Sequence, residues 1–331
     1  MLYPAIRPLL FALDPEKAHA MALKALSLAG RGSSRIQATA SIECMGLKFP
    51  NRVGLAAGFD KNATAVNGLG ALGFGFIEVG TVTPRAQSGQ PRPRVFRLAS
   101  ARALINRLGF PNDGAAVIAD RLRNRRYQGI VGVNIGKNAD TPMVRAIDDY
   151  VSCFRTVRSV CDYVVLNVSS PNTLALRELQ SRERLEPLLT ALLDERSRCG
   201  TNHVQNLPLL LKISPDLSTS ELHEIAALLK SLPMDGIIST NTTVSRHGTL
   251  SGVRARAGGL SGSPLQGLAR RTVATLRVRL GPSFPIIGVG GIDSPQAALA
   301  MRAAGADMIQ LYTGLVYRGP SLISRCVRVL G

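Results

Sequence analysis

The chain has 331 residues, of which 45% are apolar and 19% charged, so it can bury one large α/β core or two smaller ones. No run of about 18 apolar residues is present, which predicts no membrane-spanning helix. The five cysteines have neither CxxC spacing nor a histidine pair at metal spacing, and we expect reduced core thiols and no metal site. The net charge of +18 is compatible with nucleic acid or an anionic membrane. Because the basic residues are spread along the chain without interleaved aromatic residues, we expect no specific nucleic-acid binding.

The first 30 residues predict two short amphipathic helices. The first runs from Tyr3 to Leu13. The second begins at Asp14-Pro15-Glu16, with aspartate as the N-cap and proline at the first helical position, and ends near Gly30. Such helices either pack on a domain or lie on a membrane surface. We therefore divide the chain into an N-terminal helical extension, residues 1–36, and a main domain, residues 37–331.

The main domain repeats one unit. After a predicted hairpin around Met45-Gly46, eight short apolar runs each end in polar residues or glycine, mostly with helix-like segments between them. This alternation predicts an α/β fold, a single (β/α)8 TIM barrel with its site at the C-terminal strand ends. A doubly wound sheet is the alternative, but it would concentrate chemistry at one switch point. The runs are Arg52–Ala57, Phe76–Val79, Ile130–Val133, Tyr163–Leu166, Leu209–Leu211, Gly236–Ser239, Pro285–Ile287 and Met308–Leu311.

Polar groups follow these runs and predict the kind of ligand. The glycines after the last two runs suit a phosphate, since backbone N–H groups there face an anion. Lys61 and Lys212 are expected to point into the barrel mouth and to bind negative charge. Asparagines at several strand ends predict a flat, hydrogen-bonding ligand. No carboxylate pair or metal-ligand cluster converges on the mouth, and the histidines are expected at the surface. A hydroxyl or a lysine then remains as proton acceptor, so the harder chemistry needs a cofactor.

A set of motifs in this order closely resembles the dihydroorotate dehydrogenase family, in its quinone-linked, membrane-associated class 2 branch. The resemblance runs from Tyr3 to the C-terminus. It rests on Ala57-Gly58-Phe59-Asp60-Lys61, Gly80-Thr81-Val82-Thr83-Pro84, Asn106-Arg107-Leu108-Gly109-Phe110, Asn134-Ile135-Gly136-Lys137, Asn167-Val168-Ser169-Ser170-Pro171-Asn172-Thr173, Asn241-Thr242-Thr243 and Gly288-Val289-Gly290-Gly291-Ile292.

The resemblance implies an FMN-dependent barrel that oxidises dihydroorotate to orotate in pyrimidine synthesis, with a membrane quinone as electron acceptor. It implies Ser170 as catalytic base, hydride transfer from C6 to flavin N5, and Lys212 beside the flavin N1–O2 edge. Because a serine hydroxyl is a poor base until another group takes up its proton, Ser170 needs a relay, for which Thr173 or a water is the candidate. The implied cofactor residues are Ala57, Gly58, Phe59, Asp60, Lys61, Thr81, Asn134, Asn167, Lys212, Thr240, Gly262, Gly291, Tyr312 and Thr313. The implied substrate residues are Lys61, Asn106, Arg107, Leu108, Gly109, Phe110, Asn167, Asn172, Asn241 and Thr242.

The same resemblance gives the N-terminal extension a role. Its helices would form a cap through which quinone reaches the flavin, with His19, Arg97 and Tyr312 as polar partners of the quinone head. The protein is then expected to be a monomer held peripherally at the cytoplasmic face of the inner membrane, in contact with anionic lipid. The segment from Leu174 to Gln180 is a candidate lid.

Two other functions stay open on the sequence. One is a flavin-dependent barrel reductase acting on tRNA, similar to a dihydrouridine synthase, which only the positive charge favours. The other is a non-catalytic FMN or quinone binder, whose flavin dihydroorotate would not bleach.

Overall fold

A computed structural model of the chain describes residues 3–30, 41–173, 175–198, 204, 206–246 and 257–331. In these ranges the strands are β1 (Ile42–Cys44), β2 (Leu47–Phe49), β3 (Val53–Leu55), β4 (Phe76–Val82), β5 (Val95–Leu98), β6 (Ala103–Asn106), β7 (Ile130–Ile135), β8 (Tyr163–Asn167), β9 (Leu209–Ile213), β10 (Gly236–Ser239), β11 (Gly259–Gly262), β12 (Ile286–Val289) and β13 (Met308–Leu311). The helices are α1 (Tyr3–Ala12), α2 (Pro15–Ala29), α3 (Val66–Gly70), α4 (Ala115–Arg123), α5 (Ala146–Val157), α6 (Arg182–Ser197), α7 (Thr219–Ser231), α8 (Gln266–Leu280), α9 (Pro295–Ala303), α10 (Thr313–Arg318) and α11 (Ser321–Leu330).

Eight parallel strands close into a barrel in the order β10-β12-β13-β3-β4-β7-β8-β9. Each strand lies within or overlaps one of the eight apolar runs of the sequence, so the predicted (β/α)8 barrel is confirmed. The outer faces of the strands pack against the surrounding helices in the main hydrophobic core. Because all eight strands are parallel, their carboxyl ends meet at one end of the barrel.

The other end of the barrel is closed by apolar side chains. Inside the barrel, Phe76, Tyr163, Leu210 and Met308 form a separate buried cluster. The antiparallel hairpin of β1 and β2 caps it from below, where Phe49 packs edge-on against Phe76 with ring centroids 5.4 Å apart. The predicted hairpin around Met45-Gly46 is therefore confirmed. It leaves the carboxyl ends of the strands as the open, polar end.

A second sheet, which the sequence did not predict, lies beside the barrel. It has three antiparallel strands in the order β11-β6-β5. Two of them come from the connection between β4 and β7, and the third comes from the connection between β10 and β12. These strands are only four residues long, without the clean alternation that marks a strand in the sequence. The sheet matters because Asn106 stands at the end of β6.

The two N-terminal helices are present and pack on the barrel. The Asp14 side chain accepts hydrogen bonds from the backbone N–H groups of Glu16 and Lys17, each at 3.0 Å, and Pro15 begins α2 as predicted. Leu23 and Leu26 of α2 pack against the main core. At Gly68 of α3 the contact is so close that a Cβ atom would lie 1.9 Å from the Leu26 carbonyl oxygen. The proposed boundary at residue 36 lies outside the described residues.

Among the described helices, none combines the length and the hydropathy that crossing a membrane requires.

Candidate active site

One cavity lies at the carboxyl ends of the barrel strands. It holds about 990 Å³ of space between protein atoms, including solvent at its mouth. Most residues predicted for cofactor and substrate line it. They are Ala57, Gly58, Lys61, Thr81, Asn106, Leu108, Gly109, Phe110, Asn167, Ser170, Asn172, Lys212, Thr240, Asn241, Thr242, Gly262, Gly291, Tyr312 and Thr313.

Three asparagine amides form a hydrogen-bonded chain along one side of this cavity. The Oδ1 atom of Asn134 accepts from Thr81 Oγ1 at 2.6 Å and from Asn167 Nδ2 at 3.1 Å. The Oδ1 atom of Asn167 in turn accepts from Asn241 Nδ2 at 3.2 Å. The asparagines stand in β7, at the end of β8 and shortly after β10. Since each amide donates to the carbonyl oxygen of the one before it, the chain has a single direction.

Beneath the cavity, a buried carboxylate collects three donors. Glu78 of β4 is fully buried. Its Oε1 atom accepts from Asn134 Nδ2 at 2.8 Å and from the Lys212 ammonium at 3.3 Å, and its Oε2 atom accepts from Gln310 Nε2 at 2.5 Å. Lys212 and Gln310 line the cavity. The positive charge of Lys212 compensates the fully buried negative charge of Glu78, and such pairing is what makes a buried charge tolerable.

The loop after β8 carries the predicted catalytic hydroxyl. Ser170 is 5% exposed and lines the cavity, and its Oγ atom accepts a hydrogen bond from the Asn172 backbone N–H at 3.3 Å. The Asn172 amide donates to Asn106 Oδ1 at 3.0 Å, which ties this loop to the second sheet. Thr173 Oγ1 is buried and has no hydrogen-bond partner among the described residues. It is therefore available to exchange a proton with a water molecule or a neighbouring hydroxyl.

The candidate lid is held down by one arginine. Leu174 lies outside the described residues, and a turn of 3₁₀ helix, Leu176–Gln180, follows in the connection after β8. Arg177 donates to the Ser169 carbonyl at 3.2 Å, to the Asp216 carboxylate at 2.8 Å and to the Thr242 carbonyl at 3.0 Å. The turn is thus fastened to the loops after three different strands.

Lys61 lies at the mouth with its charge only partly compensated. Its ammonium donates to the Gly58 carbonyl at 2.7 Å. Burial lowers the pKa of Lys61 to about 8, with the positive charge of Arg94 acting in the same direction and Glu16 opposing it. A partly buried ammonium whose pKa stands this low gains much from an anionic partner, such as a ligand carboxylate.

The glycine-rich end of the cavity suits a phosphate. Gly290, Gly291 and Gly314 line it. At Gly291 the backbone has φ +72° and presses against α8, so that a Cβ atom would lie 2.6 Å from the Gln266 Cα. Only glycine fits there, and its bare backbone leaves N–H groups open to an anion.

The predicted quinone residues lie where α2 meets the barrel. His19 donates from Nε2 to the Phe59 carbonyl at 2.7 Å, and the stacking continues edge-on from His19 to Phe59 and from Phe59 to Tyr312. Burial is the main cause that lowers the pKa of His19 to about 4, so the imidazole is neutral at pH 7. The expectation of surface histidines is therefore wrong for His19, because the packing of α2 covers it; His203 and His247 lie outside the described residues. Arg97 is held separately, donating to the Leu13 carbonyl at 2.7 Å and covering the Phe11 ring.

Some predicted residues stand behind the cavity wall. Asp60 accepts from the backbone N–H groups of Thr64 and Ala65, and Arg107 is exposed and donates to the Pro93 carbonyl at 3.0 Å. Phe59, Asn134 and Thr173 also lie outside the lining. Direct ligand contacts from these five side chains stay a prediction.

Sequence reasoning missed Glu78 and Gln310. The only signal for Glu78 was a single acidic residue inside the apolar run Phe76–Val79, and Gln310 interrupts the run Met308–Leu311 in the same way. Ser261, which accepts a hydrogen bond from Thr313 Oγ1 at 2.8 Å, was also missed because β11 was not foreseen. Among the described residues no group of histidine, cysteine, aspartate and glutamate is arranged to hold a metal ion.

Known proteins resemble this chain over nearly its whole length. The quinone-linked dihydroorotate dehydrogenase of Aromatoleum aromaticum is 49% identical over 99% of this chain and 95% of that protein. Its counterpart in Burkholderia pseudomallei is 50% identical over 99% of this chain and 98% of that protein. Among solved structures, the DHODH of Eimeria tenella in complex with ferulenol superposes with a TM-score of 0.87 at 38% identity, covering 96% of this chain and 90% of that one.

These relatives favour dihydroorotate over tRNA as the substrate. A family model described as dihydroorotate dehydrogenase matches residues 39–331. With that match, the high identities and the shared barrel, the chain belongs to the dihydroorotate dehydrogenase family.

Proposed function

We propose that the chain oxidises dihydroorotate to orotate and passes the two electrons to a quinone, in the de novo synthesis of pyrimidines. The observation that carries the proposal is Ser170, buried at the edge of a cavity that is also lined by Lys61, Lys212 and the amides of Asn167 and Asn241. In the overall reaction dihydroorotate loses one proton from C5 and one hydride from C6. The quinone gains two electrons and two protons and becomes a quinol, so atoms and electrons balance.

FMN is the cofactor that we assign to the cavity. Support comes from the glycine-lined end, which suits its phosphate, and from Lys212, a cation beside the middle of the cavity. Gln310 Oε1 is a buried acceptor without a hydrogen-bond partner among the described residues, and it is thus available to an N–H group of a flat ligand. When bound, FMN takes up the hydride that leaves C6 of the substrate.

Ser170 is the proposed base for the C5 proton. A serine hydroxyl is a weak base until another group takes its own proton. Ser170 is nearly fully buried, and Thr173 Oγ1 stands three residues further along the same loop with no other described partner. We assign Thr173 as the next member of the proton relay. The turn fastened by Arg177 keeps bulk water away from this path.

Two features of the cavity would hold the substrate: the positive charge of Lys61 and the fixed orientation of three asparagine amides. The Lys61 ammonium balances the carboxylate of dihydroorotate, while Asn106, Asn172 and Asn241 present amide groups to the ring. Because Asn106 and Asn172 already bond each other, and Asn241 bonds Asn167, these amides need little ordering when the substrate binds.

The quinone would approach from the side of α1 and α2. His19, Arg97 and Tyr312 remain the proposed polar partners of the quinone head, and the aromatic path His19–Phe59–Tyr312 leads from α2 to the cavity wall. Leu9 and Met21 are exposed on these helices. With the basic charge of the chain they support peripheral contact with an anionic membrane, which we place at its cytoplasmic face. We propose that the protein acts as a monomer.

The test is to add dihydroorotate anaerobically and follow the visible absorbance of the flavin. Ser170→Ala should keep FMN but slow flavin reduction by about 10²–10⁴-fold, since only the proton acceptor is lost. Ser170→Cys should keep part of the rate because a thiolate is a competent base. Ser324→Ala, on the exposed side of α11, is the matched control and should behave like the parent. Bleaching of Ser170→Ala at the parental rate would move the role of base to Lys61. A parent flavin that dihydroorotate cannot bleach would leave only a flavin-binding protein.

A further inference from the structure

The carboxylate of Glu78 lies behind the lining of the cavity and contacts three polar side chains. It is the common acceptor for Asn134, Lys212 and Gln310. Of these partners, Lys212 and Gln310 reach the cavity directly. Two residues earlier on β4, Phe76 belongs to the apolar cluster that closes the barrel, so water has no path to Glu78 from below.

A carboxylate differs from the amides around it because it can only accept hydrogen bonds. Asn134 must therefore turn its NH2 group toward Glu78 and its oxygen toward Thr81 and Asn167. That oxygen then fixes Asn167 with its NH2 group facing Asn134, and the Asn167 oxygen faces Asn241. One buried acceptor thus determines which end of each amide in the chain is presented to a ligand.

The same carboxylate is the counter-charge of Lys212. Their 3.3 Å ion pair is almost completely buried, with 6% of the lysine side chain exposed and none of the glutamate. In such surroundings a charge is screened weakly and acts strongly on its neighbours. A neutral residue at position 78 would leave the Lys212 charge uncompensated beside the ligand.

We propose that Glu78 is a positioning residue of this active site. It balances the charge of Lys212 under the cofactor and sets the direction of the Asn134–Asn167–Asn241 chain. This inference rests on the proposed flavin site, but its test compares variants of one flavin-loaded protein.

Glu78→Gln separates the two effects. Its amide oxygen can still accept from Asn134 and Lys212, while its NH2 group faces Gln310, whose own amide can turn over to accept. The asparagine chain keeps its direction and only the negative charge is lost. Glu78→Met removes both the charge and the acceptor. Glu78→Asp retains the charge, and Glu224→Gln makes the same change of net charge at an exposed position of α7 outside the cavity lining.

Sulfite is the probe for the charge, because its adduct with an oxidised flavin adds negative charge to the ring. In Glu78→Gln the uncompensated Lys212 should tighten sulfite binding roughly tenfold (~1.4 kcal/mol), measured by titrating the loss of visible flavin absorbance. Glu224→Gln should match the sulfite affinity of the parent. Glu78→Asp should lie within about threefold of it, because the negative charge beside Lys212 is kept. Gln310→Met measures how much of the change in sulfite affinity comes from the reoriented Gln310 amide. We expect this part to be smaller than the part that comes from the lost charge.

The rate of flavin reduction by dihydroorotate tests the second role of Glu78, which is to set the direction of the Asn134–Asn167–Asn241 chain. Glu78→Gln should keep this rate within about tenfold, whereas a folded Glu78→Met should lose about a hundredfold or more, since misdirected amides no longer hold the substrate. Loss of flavin from Glu78→Gln but not from Glu78→Asp would also support the assignment, because Glu78→Asp keeps the negative charge that Glu78→Gln lacks. Unchanged or weaker sulfite binding in Glu78→Gln, or flavin loss shared by Glu78→Asp, would overturn it. A parent that binds FMN and sulfite but is not reduced by dihydroorotate would instead refute the proposed function.

Discussion

Orotate should bind this protein more weakly as the pH rises through about 8, because Lys61 loses its charge there. Burial lowers the pKa of Lys61 from 10.5 to about 8. A lysine with a lowered pKa is charged below that value and neutral above it. At pH 7 roughly nine tenths of the free protein therefore carries the ammonium, and at pH 9 roughly one tenth does. Binding of the orotate carboxylate favours the protonated form, so affinity is lost as the pH rises.

The size of the effect follows from the strength of a charge-assisted hydrogen bond. Such a bond contributes about 1.5–3 kcal/mol, so the neutral form should bind about 10- to 150-fold more weakly than the charged form. Combined with the populations above, the apparent Kd of orotate should rise about five- to tenfold between pH 7 and pH 9. Calorimetric titration in buffers of different ionisation enthalpy would measure both this Kd and the accompanying proton uptake.

Two variants isolate Lys61 from every other titrating group, including the pyrimidine itself. Lys61→Arg keeps a positive charge throughout this range, and Lys61→Met has none. Both should lose the step near pH 8, with Lys61→Met binding weakly at every pH. Equal parental affinity at pH 7 and pH 9, or the parental pH profile in Lys61→Met, would refute the assignment of Lys61 as partner of the carboxylate.

Two further changes test the relay and the cap. Thr173→Val keeps the shape but removes the buried hydroxyl that has no described partner, and it should slow flavin reduction about tenfold or more without releasing FMN. Thr156→Val on the exposed side of α5 is its control, and equal rates in the two would exclude Thr173 from the relay. Gly68→Ala places a Cβ against the Leu26 carbonyl, so α2 must shift, and we expect about 1–3 kcal/mol lower stability together with slower quinone turnover. Gly267→Ala, whose nearest contact would be a flexible arginine end at 3.5 Å, should show neither change, and unaltered quinone turnover in a destabilised Gly68→Ala would contradict the cap.

The barrel was predictable from the sequence because its strands are buried on both faces. Each therefore appears as a short, nearly continuous apolar run, and the abrupt change to polar residues at its end marks the open side of the barrel. The strands β5, β6 and β11 lack that signal. They form a small sheet in which β5 is only partly buried and β11 pairs with β6 across more than 150 positions, as between Gly259 and Asn106. No local pattern reports such a pairing.

Within the site, the residues that could be foreseen are those that end strands. The sequence changes abruptly from apolar to polar residues near Lys61, Ser170 and Lys212. The role of Glu78 could not be predicted, because it depends on three partners from other strands that only the closed barrel brings together. His19 was misjudged on residue type alone for the same reason, since its burial comes from the docking of α2 onto the barrel.

The close contact of Gly68 with the Leu26 carbonyl has a consequence for how the protein unfolds. Leu23 and Leu26 share the core of the barrel, and the Arg94 guanidinium pairs with Glu16 at 3.0 Å near the start of α2. Helix α2 is therefore one cooperative unit with the barrel rather than an appendage. Hydrogen exchange in α2 should follow the global unfolding of the barrel, and cutting the chain after α1 should leave a more native protein than cutting it after α2. A force that a membrane exerted on α2 would therefore also act on the core of the barrel.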